Sequence, residues 1–314
     1  MPVLFVFVDG VGAGARDPSL NPLARGEFLL SRFVDGSGAP LPAGGRAALA
    51  DACLGVAGRP QSATGQTSIL TGENAARAIG KHLLGFPNES LRAILRARSL
   101  FRALVTAGGA GAFANAYPVA YLRALGLECE GEPEFAFGKR RPRPSATTVA
   151  FAAGGGRFRT WDDARCGRGL THDITGVRAR AFGARLPTRT PEEAARVLLE
   201  IAEGHDLTLF EFFETDEAGH ARSMEGALDA LGRVDRFLRA LVATLPEGAS
   251  LLVASDHGNV EDLGSRNHTT APVPVLGFGP AAARVDEVEN LTHIAPLLLS
   301  LARPRTLPSP AREG

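Results

Sequence analysis

The sequence predicts an α/β fold with a mainly parallel, doubly wound sheet and a small inserted α+β cap. Short, nearly uninterrupted apolar segments near both ends of the chain are typical of strands buried on both faces. Segments with helical spacing alternate with them, which is typical of a sheet covered by helices. Glycine clusters break up the middle of the chain. We therefore expect a core over 1–85 and 186–314, with the cap inserted over 86–185.

The first core segment opens with VLFVFVDG, a predicted strand that ends in a glycine turn after Asp9. A helix is predicted over 66–82, and Gly72 is expected to interrupt it, because glycine is a poor helix former. The order of strand and helix already follows the α/β pattern.

The second core segment repeats the alternation. TPEEAARVLLEIAEG, over 190–204, has a threonine cap, a proline in its first turn and early glutamates, all of which mark the start of a helix. A strand, LTLFEFF, follows, and apolar residues at helical spacing predict a helix over 223–246. SLLVAS and PVPVLGFG are predicted strands, and NLTHIAPLLLSLA is a closing helix.

The middle of the chain differs in sequence pattern from the two core segments. ESLRAILRARSLFRALV is a predicted helix, whereas GAFANAY and TTVAFAAGG are predicted short strands. The basic run GKRRPRP over 138–144 contains prolines and is therefore expected to be a loop. Its arginines Arg140, Arg141 and Arg143 could clamp an anion, but a solvated loop is the commoner role, and we leave them out of the predicted site.

Composition limits the possible partners. The 314-residue chain is 45% hydrophobic, enough for a large core, and its net charge of +0 gives no basic field for nucleic acid. Three cysteines without CxxC spacing favour a reduced, cytoplasmic setting. No segment predicts a signal peptide or a membrane span. We expect neither nucleic acid nor membrane as a partner, and leave the oligomeric state open.

Carboxylate and imidazole side chains recur in three late motifs, TDEAGH, SDHGN and NHTT. The two earlier motifs follow apolar strands, where an open α/β sheet places functional residues. Zinc, manganese and similar ions accept this mixture of ligands. The candidate ligands are Asp216, His220, Asp256, His257 and His268.

Two earlier residues complete the candidate site. Asp9 follows a buried strand and can reach a metal at the sheet edge, although a turn aspartate is the commoner role at such a position. Ser62 precedes a helix and is a candidate nucleophile, because a bound metal would make its oxygen an alkoxide. A helix N-cap is the commoner role for such a serine.

The motifs DG, SATGQTSILTG, TDEAGH, SDHGN and NHTTAPVPV, in this order, resemble the alkaline phosphatase superfamily of two-metal phospho- and sulfo-transfer enzymes. The nearest branch is cofactor-independent phosphoglycerate mutase and phosphopentomutase. The resemblance covers roughly 1–85 and 190–305. Gln66 departs from it, because these mutases usually carry histidine there.

The resemblance implies two divalent metal ions, Mn or Zn. One ion would be held by Asp216, His220 and His268, and the other by Asp9, Asp256 and His257, with Ser62 bridging to the second ion as the nucleophile. In-line displacement would then form a phosphoserine.

Three functions are compatible with this pattern. The first is a metal-dependent phosphohydrolase acting on a small phosphorylated metabolite, favoured because the predicted cap is much shorter than the phosphoglycerate mutase insertion. The second is a phosphomutase that moves phosphate within a sugar phosphate or phosphoglycerate. The remote third is a non-catalytic metal-binding regulatory protein. A sulfatase is disfavoured, because SATGQ lacks the proline and arginine of that motif.

Overall fold

A computed structural model describes residues 1–135 and 142–302. Eight strands form a central six-stranded sheet and a separate two-stranded one. In chain order the strands are Val3–Val8 (β1), Arg46–Ala50 (β2), Gly111–Phe113 (β3), Ala116–Tyr117 (β4), Arg159–Thr160 (β5), Leu207–Phe212 (β6), Ser250–Ala254 (β7) and Val273–Phe278 (β8).

The central sheet has the order β2-β8-β7-β1-β6-β3. β1 lies at its middle and pairs in parallel with both β6 and β7, and β3 pairs in parallel with β6. β8 runs antiparallel to β7 and to the edge strand β2. The predicted α/β class with a mainly parallel sheet is confirmed. The antiparallel pairs involve β2 and β8, which lie together at one edge of the sheet.

Twelve α-helices surround the sheets in the described part of the chain. They are Ser62–Thr71 (α1), Ala75–Ile79 (α2), Glu89–Arg98 (α3), Leu100–Thr106 (α4), Val119–Ala124 (α5), Ala146–Ala153 (α6), Trp161–Arg165 (α7), Val177–Ala181 (α8), Pro191–Glu203 (α9), Glu214–Ala221 (α10), Met224–Ala243 (α11) and Ile294–Leu301 (α12). Three 3₁₀ segments lie at Pro22–Arg25, Gly279–Glu287 and Leu291–His293.

Local sequence signals fix several helix ends. The predicted interruption at Gly72 is confirmed, because this residue ends α1 with a left-handed φ of 76°. Thr190 caps α9 through a capping box with Glu193. The helix predicted from ESLRAILRARSLFRALV is divided in two at Ser99, whose hydroxyl oxygen accepts the Phe101 N–H at the start of α4.

The strand predicted for TTVAFAAGG is wrong, because this segment forms helix α6. Ser145 supplies an N-cap by accepting the Thr148 N–H. The helix is buried over most of its surface, so its residues form a continuous apolar run without the alternating pattern of an amphipathic helix. Periodicity alone cannot distinguish such a run from a buried strand.

Alternate residues of each strand pack into two different cores, one on each face of the sheet. Helices therefore cover both faces. Val6 and Phe210 belong to the core that includes α9 and α11. Phe5 and Leu209 belong to the core that includes α1, α4, α6 and α12. The sheet is therefore doubly wound, as the long apolar strands indicated.

The middle segment is only partly separate from the core. Residues 111–113, within the segment predicted as the cap, form β3 at the edge of the central sheet. The division into 1–85, 86–185 and 186–314 stays a prediction. Arg140 and Arg141 lie outside the described residues, whereas the Arg143 guanidinium lies 4.6 Å from the centre of the Phe86 ring.

Across residues 1–135 and 142–302, no helix is both long enough and apolar enough to cross a bilayer. The cytoplasmic location stays a prediction.

The packing of β6 on α11 gives a test of the fold. Phe210 is fully buried, and its ring centre lies 5.2 Å from that of Phe237. We expect Phe210→Ala to lower the free energy of unfolding by about 3–5 kcal/mol, because it leaves a cavity. Val34→Ala, at a side chain 65% exposed, should change it by less than about 0.5 kcal/mol. Urea unfolding measures both, and equal midpoints for the two variants would contradict this packing.

Candidate metal centre

The candidate ligands converge because three neighbouring parallel strands end at one edge of the sheet. Asp9 follows β1 directly, Asp256 lies just beyond β7, and Asp216 lies in the first turns of α10, which follows β6. The register aligns these strand ends, since Val8 pairs with Phe212. The central position of β1 puts Asp9 between the other two, at the edge where open α/β sheets bind ligands.

The first cluster contains Asp216, His220 and His268. Helix α10 brings the first two together, because residues four apart share a helix face, and His220 Nε2 lies 3.2 Å from Asp216 Oδ2. His268 Nε2 lies 3.1 Å from His220 Nε2 and 3.6 Å from Asp216 Oδ1. The structure thus brings together the three residues predicted to hold one ion.

The second cluster contains Asp9, Asp256 and His257. His257 Nε2 lies 3.3 Å from Asp9 Oδ1 and 3.4 Å from Asp256 Oδ2. Asp256 and His257 are fully buried, and Asp9 is nearly so. These are the three residues predicted to hold the other ion. Their roles as metal ligands stay predictions.

Backbone carbonyls orient the imidazoles of the first cluster. His268 Nδ1–H donates to the Pro60 carbonyl at 3.0 Å, and His220 Nδ1–H donates to the Arg266 carbonyl at the same distance. Each ring therefore directs its Nε2 into the cluster. Such support from neighbouring groups is typical of histidines that bind metals.

The second cluster holds negative charge with little compensation. Burial, together with the nearby Asp256 and Asp216 carboxylates, raises the pKa of Asp9 well above its ordinary value. Burial and Asp216 raise the pKa of Asp256 to about 7. Asp9 Oδ1 and Asp256 Oδ2 are buried without a hydrogen-bond partner in the described part of the chain. A divalent cation would satisfy both oxygens, so these residues fit a metal ion.

Two of the three histidines of the site are in the neutral form that binds metals, whereas hydrogen bonding to Asp216 raises the pKa of His220. Burial lowers the pKa of His257 and of His268 to about 4, so both rings are neutral near pH 7. Asp216 is ionised: despite its burial, hydrogen bonding to His220 and the nearby His257 lower its pKa to about 2. Asn259 Nδ2 also donates to Asp216 Oδ1 at 2.6 Å.

Ser62 lies at the mouth of the second cluster. It is the first residue of α1, and its Oγ is 2.9 Å from His257 Nε2. The N-cap position belongs to Gln61, so the alternative role of Ser62 as a cap is wrong. One turn later, Gln66 Nε2 donates to Asp9 Oδ2 at 3.2 Å.

A cavity of about 740 Å³ opens beside Ser62, and its lining contains residues that the sequence analysis missed. Burial raises the pKa of Glu211 to about 7, and this carboxylate accepts a hydrogen bond from Thr147 Oγ1 at 2.6 Å. A glutamate within the apolar strand LTLFEFF was the signal that could have identified it. His172 also lines the cavity.

Parts of the chain are similar in sequence to known proteins. Residues 181–303 match the family model of the Metalloenzyme superfamily. The chain is 38% identical over 125 residues to the 2,3-bisphosphoglycerate-independent phosphoglycerate mutase of Agrobacterium fabrum, and 33% identical over 119 residues to that of Hahella chejuensis. The matches cover 37% and 35% of this chain, respectively, and 25% and 23% of those enzymes. The matched segment thus spans about a quarter of these curated relatives.

Solved structures show the same fold at low identity. Thermus thermophilus alkaline phosphatase matches with a TM-score of 0.56 and 15% identity, over 98% of this chain and 92% of that chain. The cold-active alkaline phosphatase of Shewanella sp. matches with a TM-score of 0.52 and 13% identity, over 97% and 100%. The resemblance to the alkaline phosphatase superfamily, near phosphoglycerate mutase, is confirmed, as is the relationship to metal-dependent phosphoryl-transfer enzymes.

A substitution at Gly10 tests how closely the segments that carry Asp9 and Asp216 pack. The φ of Gly10 is 73°, and a Cβ at this position would lie 2.7 Å from Asp216 Cβ. We expect Gly10→Ala to displace Asp216 and to reduce the metal bound per chain, measured by elemental analysis after dialysis. Gly36→Ala is the matched control, because φ is 80° there and nothing lies within 4 Å. Equal metal content in the two variants would contradict the predicted contact.

The crowded carboxylates predict a pH-dependent effect of metal on stability. Because burial raises the pKa of Asp256 to about 7, the metal-free protein loses stability as the pH rises from about 4 through 7. A bound cation compensates the ionised form. Added Mn²⁺ or Zn²⁺ should therefore raise the melting temperature more at pH 8 than at pH 5. Asp256→Asn should remove most of that difference, and an unchanged difference in this variant would refute the explanation.

Proposed function

We propose that this protein is a two-metal phosphohydrolase that acts on a small phosphorylated metabolite through a phosphoserine at Ser62. The observation that carries the proposal is the position of Ser62 Oγ, 2.9 Å from His257 Nε2 and facing a large cavity. A hydroxyl beside a cluster of metal ligands is suited to nucleophilic attack on a phosphate ester. Asp and His ligands suit Mn or Zn.

Two displacements at phosphorus would complete the reaction. Ser62 Oγ forms a bond to phosphorus as the ester P–O bond breaks, the serine proton is lost to solvent, and the alcohol leaves after taking up a proton. Water then attacks the phosphoserine, which releases phosphate and returns a proton to Ser62 Oγ. Divalent ions at the two clusters would stabilise the negative charge on the attacking and leaving oxygens.

The chain's own residues would position this nucleophile. Ser62 is held at the start of α1, where free backbone N–H groups and the helix dipole favour an anion. Gly65 lets α1 approach the second cluster, because a Cβ there would lie 2.9 Å from the Asp256 carbonyl oxygen. Gln66 holds Asp9 by its hydrogen bond to Oδ2.

Hydrolysis is favoured over mutase chemistry by the charge of the cavity. A mutase must retain a dephosphorylated intermediate and present a second hydroxyl to phosphorus, and its sugar phosphate or phosphoglycerate substrates are strongly polar. The described lining contains carboxylates such as Glu134, Glu211 and Glu217 but no lysine or arginine. This environment supports release of an uncharged alcohol more than retention of an anionic intermediate.

A phosphomutase is the second candidate, because the curated relatives reported above are phosphoglycerate mutases. Incubation with 3-phosphoglycerate distinguishes the two. A mutase would form 2-phosphoglycerate without free phosphate, whereas the proposed hydrolase would release phosphate from its monoester substrates.

Ser62→Ala provides the direct test. We expect this variant to lose phosphate release from a monoester panel by at least about a thousandfold, because the nucleophile is absent. Mass spectrometry of acid-quenched wild-type protein should find the phosphoryl group on Ser62. Ser19→Ala, at an exposed serine, is the control and should keep full activity. Activity that persists in metal-loaded Ser62→Ala would exclude Ser62 as the nucleophile.

A further inference from the structure

The cavity beside Ser62 is much larger than a phosphate group requires. Its volume is about 740 Å³, and the phosphate-binding end is marked by Ser62, Asp9 and Asp216. Seven aromatic residues supply most of the remaining large side chains, and we refer to them as the aromatic chamber: Phe86, Tyr117, Tyr121, Phe135, Trp161, Phe182 and Phe213. The part of the substrate that carries the phosphate must occupy this chamber.

We propose that the chamber binds a phosphate monoester whose alcohol carries a flat, uncharged ring. This inference rests on the proposed hydrolysis at Ser62 and names the substrate class for it. Transfer of the phosphoryl group to Ser62 Oγ breaks the ester P–O bond, and the alcohol that leaves takes a proton and is the ring-bearing product in the chamber.

The arrangement of the aromatic rings supports a flat occupant. Tyr117 and Tyr121 stack with ring centres 5.2 Å apart and an angle of 19° between their planes. Trp161 and Phe135 form a tilted pair at 6.5 Å, and Phe213 stacks on His172 at 4.4 Å. Offset stacking and edge contacts are the arrangements that aromatic rings prefer, and the chamber offers another ring both kinds of surface.

The exposure of the apolar residues also supports a flat, apolar occupant of the chamber. In the described part of the chain, the large exposed hydrophobic residues include three phenylalanines, namely Phe86 at 40%, Phe135 at 40% and Phe182 at 69%. All three line this cavity. Exposed apolar surface gathered at one site is typical of a binding surface, and an apolar ring in the chamber would cover it.

The charge of the lining disfavours a second anionic group on the substrate. Glu134 accepts the backbone N–H groups of Val119 and Ala120 at 3.2 Å, and Glu217 pairs with Arg178. Glu211 is buried at the same cavity. No described lining residue is a lysine or arginine, and the guanidinium of Arg143 beside the chamber is stacked on the Phe86 ring. An uncharged body therefore fits best.

His172 supplies one polar contact at the chamber wall. Its Nε2 is buried and has no hydrogen-bond partner within residues 1–135 and 142–302. Burial lowers the pKa of His172 to about 4, so the ring is neutral. A neutral imidazole nitrogen can make one hydrogen bond to a heteroatom of the bound ring or its linker without adding charge.

Paired esters with similar leaving groups test the chamber separately from the chemistry. We expect kcat/KM for 2-phenylethyl phosphate to exceed that for ethyl phosphate by at least about tenfold, because both are primary alkyl esters and only one carries a ring. Phe135→Ala should reduce this ratio severalfold. Leu20→Ala, at an exposed residue outside the cavity, should leave it unchanged. Equal kcat/KM values for the two esters would overturn the proposal.

Ligand binding can be measured without catalytic turnover from tryptophan fluorescence, because Trp161 is the only tryptophan of the chain. In metal-loaded Ser62→Ala, 2-phenylethyl phosphate should change the tryptophan fluorescence and bind more tightly than ethyl phosphate or 3-phosphoglycerate. If 2-phenylethyl phosphate binds in this way while wild-type protein hydrolyses no ester, the chamber proposal is supported and the hydrolase proposal fails. If 3-phosphoglycerate binds more tightly, the chamber proposal fails.

A nucleoside 5′-monophosphate in the same titration distinguishes two sources of the ring. Tighter binding than 2-phenylethyl phosphate would identify a nucleobase as the ring, and weaker binding would identify a simple arene. Phe135→Ala should weaken whichever ligand binds better, by about threefold or more. An unchanged affinity in both Phe135→Ala and Phe86→Ala would overturn the aromatic contact.

Discussion

The structure depends on the convergence of three aspartates where neighbouring parallel strands end. Asp9 stands between Asp216 and Asp256 because β1 lies between β6 and β7. Burial disfavours the charged form of each carboxylate, and their mutual repulsion adds to this cost. Asp216 obtains local compensation from His220 and Asn259, whereas Asp9 Oδ1 and Asp256 Oδ2 have no hydrogen-bond partner among the described residues. The arrangement is therefore costly without cations and well suited to holding them.

This constraint explains the close packing around the clusters. Gly10 and Gly65 lie where a Cβ would collide with Asp216 or with the Asp256 backbone, so the ligand segments approach to contact distance. Thr215 Oγ1 donates to the Asp9 carbonyl at 2.5 Å, which ties the start of α10 to the end of β1. The position of the Ser62 hydroxyl follows from the same contacts, because α1 packs against the Asp256 segment.

The long buried strands and the convergence of the candidate ligands could be predicted because local rules and global packing agree. An apolar strand followed by a carboxylate identifies the sheet edge, and TDEAGH on a helix places Asp216 and His220 on one face. Sequence reasoning failed at α6, where complete burial removed the periodic signal, and at Glu211, whose partner Thr147 lies 64 positions earlier in the chain. The aromatic chamber likewise draws on residues from 86 to 213 that only the tertiary fold brings together.

The central claim is that the two clusters form a two-metal site. Anomalous X-ray diffraction from crystals grown with Mn²⁺ or Zn²⁺ tests it most directly. The account predicts two peaks about 4 Å apart, one within about 2.0–2.3 Å of ligand atoms of Asp216, His220 and His268, the other similarly bound by Asp9, Asp256 and His257. A single peak, or ions bound only elsewhere on the protein, would contradict it.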